Sequence, residues 1–168
     1  MTAQQIFDRL WKGYTTQNPS VQKVYDLFVA NGETVENDHI AFRTFDDPRV
    51  NIEVLSKLFI KAGYTYAGEY HFEDKHLYAR HYEMEGGPRV FISELLSKHF
   101  SPFVQQTIKQ CVDAIPSELL TSDELIFSGC SWLTVSYEVY EKLRKESEYA
   151  AWLYVHGFRA NHFTVSVN

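Results

Sequence analysis

The sequence predicts an α+β fold organised on a β-α-β-β-β module with additional flanking helices. Three observations predict it. Strand-like and helix-like runs alternate in that order between residues 39 and 95, helical periodicity dominates on both sides of that block, and the final strand-like run opens with the same residue texture as the first.

The elements follow in order. Ile6, Phe7, Leu10 and Trp11 recur at helical spacing; after the break at Asn18-Pro19-Ser20, Val21, Val24, Tyr25 and Phe28 do the same until Asn31-Gly32. His39 to Phe45 is β-branched and aromatic enough for a strand. Asp46-Asp47-Pro48 then opens a helix that carries Val54, Leu55, Leu58 and Phe59 to a stop at Gly63. Three strand-like runs come next: Thr65 to Phe72, His76 to Glu83 and Val90 to Leu95, with Asp74-Lys75 and Gly86-Gly87-Pro88 as the turn signals between them. Pro102 to Ile115, Ser117 to Leu125 and Ser136 to Val155 read as helical, the last interrupted near Ser147. Gly157 ends it, and Asn161 to Val167 is a strand.

At 168 residues the chain has the length of one domain, and residues 1–168 are read as a single metal-binding domain. The net charge is −6, and the basic stretch from Lys142 to Lys145 sits among Glu141, Glu146 and Glu148, which reads as a solvated helix surface. Nucleic acid is therefore not an expected partner. Cys111 and Cys130 form neither a disulfide framework nor a zinc-ribbon spacing. The N-terminal residues lack the order of a signal peptide, and no apolar run approaches the roughly 20 residues of a membrane span. The expected setting is cytoplasmic, with no membrane partner.

The chemistry is expected at two histidines. Asn37-Asp38-His39-Ile40 and Ala160-Asn161-His162-Phe163 each place a small polar lead-in before a histidine and then alternate, so His39 and His162 begin equivalent strands. On a strand, successive side chains face opposite ways, which puts His39, Ala41 and Arg43 on one face, and His162, Thr164 and Ser166 on one face of the other strand. Paired side by side, the strands could aim both imidazoles into one cavity with Arg43 further along. Two imidazoles and one carboxylate with open positions suit non-haem Fe(II), and zinc hydrolases use a similar set. Glu94, on the face of its strand shared with Val90 and Ile92, is the carboxylate nominated as third ligand. The plainer readings stand beside these: a hydrogen-bonded strand-start histidine, an Arg43 paired with Asp46 or Glu94, and turn-capping roles for Asn37 and Asn161. His71, His76 and His81 read as polar packing, and His99 and His156 as helix-end residues. Phosphate loops and nucleophile elbows are absent, and neither cysteine has a neighbouring histidine motif.

The stretches Asn37 to Phe45, Val90 to Leu95 and Ser147 to Thr164 resemble the 2-oxoadipate dioxygenase/decarboxylase family, over nearly the whole chain and most specifically around His162. The resemblance implies a vicinal-oxygen-chelate-like fold. It implies His39 and His162 as metal ligands and Arg43 as the contact to a substrate carboxylate. It further implies Fe(II), a small 2-oxo acid of the 2-oxoadipate kind, and oxidative decarboxylation to a hydroxy acid; the ligand types alone also suit Zn or Mn. The family's third ligand is a glutamate well downstream of the second histidine, whereas this sequence stops at Asn168. Either the chain is a fragment, truncated at the C-terminus relative to the family, or Glu94 completes the site. A Zn- or Mn-dependent lyase, isomerase or hydrolase and a non-catalytic binding domain with an incomplete metal site are the alternatives. An unpaired final strand would also be an edge open to an oligomeric partner.

Overall fold

A computed structural model of the chain describes residues 1–132 and 134–167. Helices α1 (Ala3–Gln17) and α2 (Pro19–Ala30) precede strand β1 (Val35–Phe45). Helix α3 (Ile52–Lys61) leads into β2 (Thr65–Phe72), β3 (Leu77–Glu83) and β4 (Arg89–Leu95). Helices α4 (Pro102–Asp113), α5 (Ser117–Leu120), α6 (Tyr137–Glu146) and α7 (Glu148–His156) follow, and β5 (Ala160–Val167) comes last.

The strands form one five-stranded sheet in the order β2-β3-β4-β1-β5. β2, β3 and β4 are an antiparallel meander. β1 lies parallel to β4, which requires the crossover that α3 supplies, and β5 pairs antiparallel with the other side of β1. The expected β-α-β-β-β order is thus present, with β5 added beside its first strand.

Alternation along β1 assigns the two faces. Ile40 and Phe42, with Val90 and Ile92 of β4, are fully buried against α1 and α3: the Phe42 ring lies 5.5 Å from Phe59, and Phe7 lies 6.1 Å from Phe59. Phe163 of β5 joins this side, its ring 5.1 Å from both Trp11 and Tyr14 of α1. Because Phe163 is held there, its neighbour His162 must face the other way. On that other face lie His39, Ala41 and Arg43, covered at the Arg43 end by α7. The buried Tyr149 hydroxyl pins α7 to the sheet: it accepts the Thr44 N–H at 3.1 Å and donates to the Ser93 carbonyl at 2.7 Å.

Two element boundaries differ from expectation. Asp46-Asp47-Pro48 does not open α3; Asn51 does, its side chain accepting the Val54 N–H at 3.1 Å. Asp46 instead accepts the Ser97 N–H, and Asp47 pairs with Arg49. The helix expected over Ser117 to Leu125 stops at Leu120, because Thr121 and Ser122 bond locally to backbone groups and compete with helix propagation. The interruption at Ser147 is as expected, with Ser147 extended and its hydroxyl accepting the Ala150 N–H at 3.1 Å.

Gly157 decides where β5 begins. Its φ of 65° and ψ of −151° belong to a region that other residues rarely enter, and a Cβ there would collide with the Gly129 carbonyl oxygen. That oxygen accepts the Phe158 N–H at 3.0 Å, and the Phe158 carbonyl accepts the Gly129 N–H at 2.8 Å. Gly157→Ala is expected to destabilise the fold by about 3 kcal/mol or more. Gly13→Ala, in open space within α1, should stabilise by up to about 1 kcal/mol. Urea midpoints of the two variants check this; equal midpoints would contradict it.

Candidate metal centre

The pairing of β1 with β5 brings the two histidines together. His39 stands opposite Thr164 and Ala41 opposite His162, so the imidazoles are diagonal neighbours on one face. Their Nε2 atoms are 3.4 Å apart, and the rings meet at 84° with centroids 5.5 Å apart.

Each ring is held at Nδ1 by the residue before it. His39 Nδ1–H donates to the Asp38 carboxylate at 2.7 Å, which leaves the Nε2 lone pair directed into the site, where it accepts the Thr164 hydroxyl at 3.0 Å. His162 Nδ1 lies 2.8 Å from the Asn161 side-chain amide, and its Nε2 points toward His39. Burial, then the neighbouring His39 and Arg43, hold the His162 imidazole below its ordinary pKa and keep it neutral at pH 7.

The pair fits a transition metal as two of its ligands. Metal–imidazole bonds of about 2.0–2.2 Å to adjacent coordination positions need nitrogens roughly 3–3.6 Å apart, and 3.4 Å lies within that span. Among the described residues no third histidine, cysteine or carboxylate joins them.

Glu94 is not brought to the pair. The parallel register sets Thr44 opposite Glu94 and Arg43 opposite Ser93, which places Glu94 on the face of Ile40 and Phe42, away from the histidines. There it accepts the Ile52 N–H at 3.0 Å and caps α3, with burial raising its carboxyl pKa. Its apolar-face setting is explained by that cap, and the expectation that it serves as third ligand is corrected.

Arg43 does share the histidine face, two residues or roughly 7 Å of strand rise beyond the row of Ala41 and His162. Its guanidinium lies over the rings of Trp152 at 4.8 Å and Tyr149 at 5.0 Å. Among the described residues no carboxylate lies within ion-pairing distance of it, since Asp46 and Glu94 serve backbone N–H groups instead. Arg43 borders a cleft of about 1310 Å³ that it shares with Tyr149, Trp152, His156 and Arg144; His39 and His162 lie outside this cleft. A half-buried, unneutralised guanidinium on a cleft wall is suited to a carboxylate ligand.

The other histidines are engaged elsewhere. His81 is on the His39 face but is held by the Tyr70 hydroxyl at 3.1 Å and by Glu83 at 3.4 Å. His76 stacks on His99 at 4.6 Å, and His156 packs on Trp152 at 4.7 Å. Sequence reasoning missed Asp38, Thr164, Tyr149 and Trp152, and read Asn161 as a turn cap. The signal that could have found two of them was the acid or amide immediately before each histidine.

The sequence profile of the 2-oxoadipate dioxygenase/decarboxylase family matches residues 6–168. The chloroplastic 2-oxoadipate dioxygenase/decarboxylase of Arabidopsis thaliana is 33% identical, over 92% of this chain and 46% of that protein. The chain thus spans about half the length of the curated relatives it matches. Among solved structures, a Shewanella frigidimarina NCIMB 400 protein provisionally labelled a hydrolase superposes with a TM-score of 0.90 at 44% identity, covering 96% of this chain and 64% of that one. Hydroxyglutarate synthase from Oryza sativa, solved with 2-oxoadipate, gives a TM-score of 0.89 at 31% identity, covering 96% and 56%. A glyoxalase superfamily protein from Ralstonia eutropha JMP134 shares the fold alone, with a TM-score of 0.75 at 21% identity over 93% and 59%. With its β-α-β-β-β module of vicinal-oxygen-chelate type, the chain belongs to the 2-oxoadipate dioxygenase/decarboxylase family.

Proposed function

We propose that this chain supplies the two-histidine part of a non-haem Fe(II) centre in an enzyme that oxidatively decarboxylates a small 2-oxo acid of the 2-oxoadipate kind to a hydroxy acid. The observation that carries the reading is the pair of Nε2 atoms 3.4 Å apart, on the same sheet face as Arg43. Family membership and the rice neighbour's complex with 2-oxoadipate support it. His39 and His162 would hold the ion, and a carboxylate from outside the described residues would complete the usual two-histidine, one-carboxylate set. The ion, when bound, would supply oxygen activation.

The chain's own residues account for recognition. Arg43 offers a planar fork to a substrate carboxylate, and the rings of Tyr149 and Trp152 fix its plane before the substrate arrives. Burial of the guanidinium strengthens its attraction for an anion and disfavours neutral competitors. A net charge of −6 argues against a nucleic-acid partner, and no helix among the described residues is long and apolar enough to cross a membrane. The two free cysteines fit a reducing compartment such as the cytoplasm.

A second reading is a Zn- or Mn-dependent hydrolase on the same histidines of this chain, favoured by the hydrolase label of the Shewanella neighbour. Oxygen uptake separates the two. With the full-length protein, Fe(II) and 2-oxoadipate, oxygen consumption should match carbon dioxide release one to one, and Arg43→Lys should raise KM about 10- to 100-fold. Turnover of the 2-oxo acid without oxygen uptake, or hydrolysis with Zn or Mn in its place, would overturn the proposal.

A further inference from the structure

β1 and β5 pair irregularly at two places, and the extra residue at each is the one before a histidine. Between Asn37 and His39, β1 advances two residues while β5 advances one, from Val165 to Thr164, so Asp38 is the inserted residue. Between Ala41 and Phe42, β1 advances one while β5 advances two, from His162 to Ala160, so Asn161 is inserted. In a regular strand, neighbouring side chains point to opposite faces and a residue cannot reach the ring of the next. The bulges remove that restriction, and each inserted residue bonds Nδ1 of the histidine that follows: Asp38 on His39 at 2.7 Å and Asn161 on His162 at 2.8 Å.

We propose that Asp38 and Asn161 are paired positioning residues for the metal site, each delivered by a β-bulge, and that they make the two histidines unequal ligands. The inference rests on the metal reading above and adds residues to it. A carboxylate on Nδ1–H fixes the tautomer, orients the ring and raises the basicity of Nε2, so Asp38 makes His39 the stronger, pre-set ligand. Asn161 meets His162 Nδ1 with a neutral amide, which orients the ring without the charge that raises basicity, so His162 is the weaker ligand.

The test is a Co(II) titration of the full-length protein. Visible absorption bands and competition with a chelator give affinity, and thermal melts of the metal-free proteins report folding. Asp38→Ala should weaken Co(II) binding about 10- to 100-fold, while Asp38→Asn, which keeps an acceptor but not the charge, should lose less. Asn161→Asp should tighten binding about 10-fold and shift the absorption bands, since it gives His162 the carboxylate that His39 already has. A gain of affinity cannot arise from damage to the fold, so that variant keeps the test sharp if Asp38→Ala melts early. Wild-type protein that takes up no Co(II) would sink the metal reading itself. Wild-type binding matched by unchanged affinity in Asp38→Ala and Asn161→Asp would overturn this inference and leave the metal reading standing.

Discussion

The antiparallel pairing of β1 with β5 is the constraint on which the site depends. The histidines are 123 residues apart in sequence, and this ladder brings them together on one face, where their Nε2 atoms are 3.4 Å apart. Its register is enforced from behind. Phe163 lies against Trp11 and Tyr14, and Ile40 and Phe42 are fully buried, so a slip of one residue would turn the apolar side chains of the strand that slipped, Phe163 on β5 or Ile40 and Phe42 on β1, to the open face. Burial of each such side chain is worth about 1.5–3 kcal/mol. The core therefore fixes the direction of the imidazoles without touching them.

The rest of the open face is organised by α7. Tyr149 bridges β1 and β4 through Thr44 and Ser93, and with Trp152 it forms the aromatic bed of Arg43. The start of α7 at Ser147 and its abrupt end at Gly157 both follow from local chemistry, a side-chain cap and a glycine-only conformation. The same helix thus positions the Arg43 guanidinium and delivers the chain to β5, which links Arg43 and the histidine pair mechanically.

Much of this was legible in the sequence. The β-α-β-β-β order follows from turn signals such as Gly86-Gly87-Pro88, and the shared polar-then-histidine texture singled out His39 and His162 as a pair. Glu94 was misplaced for a physical reason. Period-two alternation says which residues of one strand share a face, but only the parallel register of β4 on β1 says which face of the neighbour that is. Bulges are equally invisible to alternation, and so Asp38 and Asn161 read as lead-in residues rather than ring partners. Ser117 to Leu125 has helical spacing, yet hydroxyl groups at Thr121 and Ser122 offer the backbone a competing set of bonds.

The most direct measurement is the metal content of the full-length protein purified without chelators, for wild type, His39→Ala and His162→Ala, by mass spectrometry. The account predicts close to one transition-metal ion per chain in the wild type and a large loss in both variants. Metal retained equally by all three proteins would contradict it, because the ion would then be held without the pair that β1 and β5 bring together.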